Sequence, residues 1–265
     1  MDHWPQRIVC LTEETTETLY RLGEAERIVG ISGFTVRPAE ARRDKPKVSA
    51  FTSARQSRIL ELEPDLVLGF SDMQADIAAD LIRAGIEVYV FNHRSVAGIH
   101  GMIRRVGALV GALDRAEALV AELAAHAELV RAAAADLPRR PRVYFEEWDD
   151  PMITGIRWVH ELIELAGGED CFGERAVHAD AKRRIIADPG EVVERAPELI
   201  IGSWCGKRFR PEKLAARAGW DAVPAVRTGR LHEIKSCDIL QPGPAALTDG
   251  LDQLATHIRA AAVGG

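Results

Sequence analysis

Short runs of consecutive apolar residues alternate along this chain with stretches whose apolar positions recur at helical spacing. Ile8-Val9-Cys10-Leu11, Ile28–Ser32, Leu66–Phe70 and Val88–Phe91 read as strands. Residues 14–22, 53–62, 75–84 and 96–109 read as helices, with Gly23, Pro64 and Gly85 closing the first three. The run Asp65-Leu66-Val67-Leu68-Gly69-Phe70 has no polar alternation, as expected of a parallel strand covered on both faces. The same grammar returns later. Strands are predicted at 142–146, 197–202 and 231–234, and helices at 158–166, 189–195 and 246–261. Two segments, Pro64-Asp65-Leu66-Val67-Leu68-Gly69 and Pro197-Glu198-Leu199-Ile200-Ile201-Gly202, look like one structural step made twice.

Residues 114–136 separate the two halves and contain neither Gly nor Pro. Asp114 with Glu117 three positions on matches a capping box, and Pro138 and Pro141 stop the helix. Leu119, Leu123, Ala127, Val130 and Ala134 form one apolar stripe. At about 1.5 Å per residue this rod runs roughly 35 Å, the width of a small domain. The expected fold is therefore α/β: two α/β lobes with mainly parallel sheets joined by a single long backbone helix. The N-terminal lobe is placed at 1–110, the connecting helix at 111–138 and the C-terminal lobe at 139–265. A cleft between such lobes is a natural ligand site.

A net charge of −6 gives no electrostatic case for nucleic acid, and no stretch is apolar enough for membrane insertion. The start, MDHWPQ, leads straight into the first strand without a secretory leader. Cys10, Cys171, Cys205 and Cys237 lie far apart with no CxxC, which suits reduced thiols. These readings point to the cytoplasm; a signal peptide removed beforehand would instead make the protein periplasmic.

The usual catalytic and nucleotide-binding motifs are missing. There is no P-loop, no GxGxxG after the first strand, no GxSxG and no HExxH. His160-Glu161 reads as a surface pair rather than a metal site, and no metal ligands are assigned. Glu146-Glu147-Trp148-Asp149-Asp150 follows a predicted strand, where ligands bind in open α/β sheets. It is equally readable as a solvated acidic loop. Phe34, Phe51, Phe70, Trp148, Trp158 and Trp204 stand at strand ends or in loops and are candidates for the walls of a small-molecule site. Trp204, Cys205, Lys207 and Arg208 belong to a loop offering a thiol and cations to an anionic group; Cys237 and Asp238 follow another strand.

The order and spacing of several segments give a resemblance over nearly the whole chain. They are Arg7-Ile8-Val9-Cys10-Leu11, Val29-Gly30-Ile31-Ser32, Pro46-Lys47-Val48-Ser49, Glu61-Leu62-Glu63-Pro64-Asp65-Leu66-Val67, Thr154-Gly155, Glu164-Leu165-Ala166-Gly167-Gly168 and Gln241-Pro242-Gly243-Pro244. The chain resembles the helical-backbone solute-binding proteins of ABC importers for cobalamin, haem and iron–siderophores, most of all the cobalamin-binding members. The resemblance implies a non-catalytic protein that holds cobalamin, another corrinoid or a related metal chelate in the inter-lobe cleft and needs no cofactor of its own. It implies that Phe34, Phe51 and Phe70 line the first lobe, that Met152 takes an aromatic position in the second, and that Cys237 and Asp238 take a polar one. Trp148, Trp204, Cys205 and Arg208 complete the expected ligand-binding set. Members that dock on an ABC permease carry an exposed acid on each lobe. The matching positions here are Ser57 and Gly190, with Glu191 adjacent, so permease docking is not expected. Two alternatives remain. One is an enzyme or metal-handling protein using Glu146, Glu147 and Asp149 with Cys205 and Cys237. The other is a periplasmic importer component.

Overall fold

The computed structural model describes residues 4–264. Residues 1–3, part of the segment read for a leader, and residue 265 lie outside the described residues. The chain divides into two compact units. The first takes the chain up to His93, Ala97–Leu123 and Gln241–Pro244. The second takes Arg94–Val96, Ala124–Leu240 and the chain from Ala245 onward.

The first unit is built on a five-stranded sheet of β1 (Ile8–Cys10), β2 (Ile28–Ser32), β3 (Lys47–Ser49), β4 (Leu66–Phe70) and β5 (Val88–Phe91). Its order is β3-β2-β1-β4-β5, and every pairing is parallel. Val9, Leu11, Val48, Ile59, Val67 and Leu81 pack one core cluster. All of β1 and β4 is buried, which is why both read as unbroken apolar runs. The chain moves outward from β1 to β3 and then returns to β4, so the direction of winding reverses between β1 and β4. Ligand crevices in open α/β sheets form at the carboxyl ends of strands at such a reversal.

The second unit repeats the plan with changes. Its strands are β6 (Arg142–Asp149), β7 (Met152–Thr154), β8 (Glu169–Asp170), β9 (Leu199–Gly202) and β10 (Leu231–Glu233), ordered β10-β9-β6-β7 with β8 also beside β6. β7 is antiparallel to β6; the other pairings are parallel. Here the reversal lies between β6 and β9. The core joins Tyr144, Phe172, Trp204, Phe209 and Trp220 with aliphatic residues including Ile186 and Ile200. β9 ends at Gly202, where Phe209 leaves no room for a side chain; a Cβ there would stand 2.0 Å from the ring.

Helix Leu113–Ala135 is continuous over 23 residues, and the boundary between the units falls within it, after Leu123. Leu119, Leu123 and Ala127 of the predicted stripe are buried, while Val130 and Ala134 are half-buried. The expected capping box does not form. The helix begins one residue earlier, so Asp114 sits in its first turn, where a negative charge still favours the helix dipole. Glu117 instead accepts from Arg104 Nε at 2.8 Å. Other boundaries move too. The strand expected at 142–146 continues to Asp149 through its antiparallel pairing with β7, so Glu146–Asp149, expected in a loop, belong to β6. The helix expected from residue 53 starts at Gln56, because Ala54 bridges back to Ser49. The last helix spans Asp249–Val263, because Pro244–Leu247 forms a separate 3-10 turn.

Leucines at two points of the long helix give a direct test of this packing. Leu123 is fully buried and Leu129 is 71 % exposed. Leu123→Ala is expected to destabilise the protein by about 2–5 kcal/mol and Leu129→Ala by less than about 0.5 kcal/mol, read from urea denaturation midpoints.

Candidate functional site

The carboxyl ends of the first sheet gather an unusual set of side chains. After β1 the chain enters helix Glu13–Arg21, whose first turn carries Glu13 and Glu14, both buried. Glu13 accepts the Val36 N–H at 3.0 Å, and Glu14 accepts the Thr12 hydroxyl at 2.5 Å. Burial, then the neighbouring Glu14 charge, pushes Glu13 up to about 8 despite its backbone hydrogen bond and Arg42. Burial pushes Glu14 up to about 7 against the Thr12 hydrogen bond.

Phe34, in the loop after β2, is 54 % exposed, and Phe51, after β3, is half-buried. Phe70 ends β4 and is buried, with its ring edge-on to His93 at 5.2 Å between centroids. Buried Gln74 ties the second and third phenylalanines together. Its amide oxygen accepts from Phe70 N–H at 3.0 Å, and its amide nitrogen donates to the Phe51 carbonyl at 2.9 Å. His93 Nε2 bonds the Pro242 carbonyl at 2.8 Å. The three predicted phenylalanines therefore stand at one sheet edge. Sequence reasoning missed Glu13, Glu14, Gln74 and His93. The available signal was the polar run Thr12-Glu13-Glu14-Thr15 directly after the first apolar strand.

The second sheet also collects predicted residues at carboxyl ends, with Glu146, Glu147 and Asp149 each answered by a cation. Glu146, fully buried on β6, accepts from Arg217 at 2.5 and 3.0 Å, from the Tyr144 hydroxyl at 2.9 Å and from Trp204 Nε1 at 3.0 Å. Burial, then the charge and hydrogen bond of Glu146, raises Tyr144 well above the usual phenol range. Glu147 pairs with buried Arg184 at 2.6 Å. Asp149 accepts from Lys213 at 2.7 Å and from Lys207. Burial raises the Asp149 carboxyl, but the two lysines outweigh it and hold the group at about 2. Lys207 also lies 3.9 Å from the centroid of the half-buried Trp148 ring.

Trp204 and Met152 are buried within the second unit's core, and Trp158 is a core helix residue donating to the Ile239 carbonyl at 2.9 Å. Cys205 and Arg208 are exposed in the loop after β9. Cys237 is half-buried and donates to Asp238 at 3.5 Å, and Asp238 accepts from Gln253 at 3.3 Å. A cavity of about 420 Å³ opens beside the end of β6. Asp149, Met152, Ile186 and Arg217 are among its walls. Among the described residues no group of three or more His, Cys, Asp or Glu side chains is placed to hold a metal ion. Nor is any helix long and apolar enough to cross a membrane.

Aromatic and polar side chains at the carboxyl ends of two mainly parallel sheets are the equipment of a small-molecule binding protein. The chain matches the Periplasmic binding protein family over residues 8–237 and belongs to that family. It is 25 % identical to a cobalamin-binding protein of Halobacterium salinarum, the match covering 92 % of this chain and 67 % of that one. It is 23 % identical to a vitamin B12-binding protein of Vibrio vulnificus, over 95 % of this chain and 89 % of that one. The periplasmic heme-binding protein RhuT from Roseiflexus sp. RS-1 shares the fold with a TM-score of 0.85 and 24 % identity, over 97 % and 99 % of the two chains.

Two stability tests follow from these charges. Arg217→Met leaves Glu146 buried without its counter-charge and is expected to cost about 3–5 kcal/mol in denaturant titration. The second test uses pH. Unfolded glutamate titrates near about 4.3, so folded Glu13 and Glu14 bind extra protons above that value. Their contribution is fully present below about pH 4.3 and is lost as pH rises through about 7 and 8. Asp149 acts oppositely, losing its contribution as pH falls from about 3.9 toward about 2. Glu13→Gln should therefore flatten the fall in stability between about pH 5 and about pH 8, measured by urea midpoints.

Proposed function

We propose that this protein is a non-catalytic binding protein for cobalamin, another corrinoid or a related metal chelate. The observation that carries the reading is the placing of aromatic side chains at the carboxyl ends of strands in both units. Phe34, Phe51 and Phe70 follow or end β2, β3 and β4, and Trp148 lies at the end of β6. Flat apolar rings with a few polar neighbours suit a broad, planar ligand. The names of the relatives from Halobacterium salinarum and Vibrio vulnificus support a corrinoid.

In this reading Phe34, Phe51 and Trp148 offer ring surface to the ligand. Buried Phe70 backs the ring surface of the first unit, and buried Met152 and Trp204 back that of the second. Cys205 and Arg208 supply polar contacts from the loop after β9, and Cys237 and Asp238 from the short helix Ser236–Ile239 after β10. The ion pairs on Glu146, Glu147 and Asp149 favour a structural role for the acidic segment over acid–base catalysis. The reading places the protein in the cytoplasm without an importer permease. Its support is the wide spacing of the four cysteines, with no CxxC, and the uncharged Ser57 and Gly190. Recovery of the native full-length product from the periplasm, bound to a permease, would replace it with an importer role.

Titration with a corrinoid, haem and a ferric siderophore tests the ligand class by absorbance and calorimetry. The corrinoid should bind, and Phe34→Ala, Phe51→Ala and Trp148→Ala should each weaken it by about 1–3 kcal/mol. Unchanged affinity in all three folded variants would remove the aromatic edges from the binding surface.

A further inference from the structure

The first unit places two consecutive buried acids where its sheet changes winding direction, and nothing in the binding of a neutral aromatic surface requires them. Glu14 is 1 % exposed, and its Oε2 makes no hydrogen bond to the protein. The hydroxyl of Thr35, fully buried in the loop after β2, likewise has none. Thr35 precedes Val36, whose N–H holds Glu13. Such orphaned groups are uncommon in folded proteins and mark places where something else completes the hydrogen bonding.

Glu17, Arg37 and Arg42 stand near the pair. Glu17, one turn on, faces Arg37 at 3.4 Å. Arg42 donates to the carbonyls of Gly33 and Thr35 at 3.0 Å each, so its donors at that distance are directed at backbone. Among the described residues, Glu13, Glu14 and Glu17 thus share this edge with Arg37 and Arg42. Because Glu13 and Glu14 are buried, solvent ions screen them less than surface acids.

We infer that Glu13 and Glu14 are specificity-determining residues that favour a metal chelate with carboxamide groups on its rim over one with carboxylates. The inference rests on the binding role proposed above. A carboxamide offers both donors and an acceptor and carries no charge, so it can meet a carboxyl in either protonation state. A ligand carboxylate brought to the same edge meets like charge, or must take up a proton that it would not hold in water. Discrimination built from such repulsion acts against the wrong ligand and adds little affinity for the right one. Both glutamates give up their protons only as pH rises through about 7 and 8, so the repulsion is complete above that range.

The test compares a corrinoid bearing intact rim amides with the same corrinoid after its amides are hydrolysed to carboxylates. Calorimetry would be run above about pH 8, where both glutamates are ionised, on the full chain and on Glu13→Gln, Glu14→Gln and the surface control Glu61→Gln. The unmodified protein should prefer the amide form by about tenfold or more, a difference of about 1.4 kcal/mol. Glu13→Gln and Glu14→Gln should bring the ratio to within about threefold by tightening the carboxylate form, while Glu61→Gln leaves it unchanged. Glutamine at position 13 keeps an acceptor for the Val36 N–H, so Glu13→Gln stands as the test if Glu14→Gln does not fold. Equal binding of both forms by the unmodified protein, or a ratio that neither folded variant changes, overturns the inference and leaves corrinoid binding in place. Binding of neither form removes both.

Discussion

The Glu146 carboxylate is the interaction on which the second unit depends. Both of its oxygens are used, by Arg217, Tyr144 and Trp204, and it has no contact with solvent. A charge buried so completely is tolerable only when its partners are in place. That condition fixes the segment after β9, through Trp204, and the segment carrying Arg217 against β6. With those two held, Asp149 meets Lys207 and Lys213, and Lys207 comes to rest over Trp148. A surface ring is thus held in place by a chain of contacts that starts at a buried acid.

The two sheets solve one topological problem with opposite electrostatics. Each presents side chains at the carboxyl ends of strands where winding reverses. In the second unit the acids at 146, 147 and 149 are matched by cations. In the first, Glu13 and Glu14 keep hydrogen bonds to a backbone amide and a hydroxyl but form no salt bridge among the described residues, and burial raises both. The acids of the second unit thus behave as structure, while those of the first remain chemically responsive near neutrality.

The sequence was most informative where burial is uniform. β1, β4 and β9 are covered on both faces, so their residues form apolar runs that no helix or half-exposed strand would produce. β7 escaped notice because Met152-Ile153-Thr154 is only three residues long and exists through its antiparallel pairing with the end of β6. The capping box at Asp114 failed because the helix starts at Leu113 and Arg104, distant in sequence, claims Glu117. Aromatic positions were visible but not their facing. Phe34 stands in solvent while Trp204, also just past a strand, is packed against Phe209. Glu13 and Glu14 stand in the first turn of a helix, where acids are common. Their burial follows from packing near Thr12 and Val36, which no local pattern records.

Gln74 has a consequence for how this surface could change over time. One amide group joins the backbone at Phe51 to the backbone at Phe70, and Phe70 in turn meets His93, which is bonded to Pro242. Strand ends linked in this way do not drift separately. A replacement at position 51 that shifts its carbonyl changes the acceptor that orients the amide, and with it the support for position 70. Changes at such sites combine non-additively. A lineage adapting this edge to a ligand of different outline would alter 51, 70 and 74 as a set, so the heritable unit here is the linked group rather than the single ring.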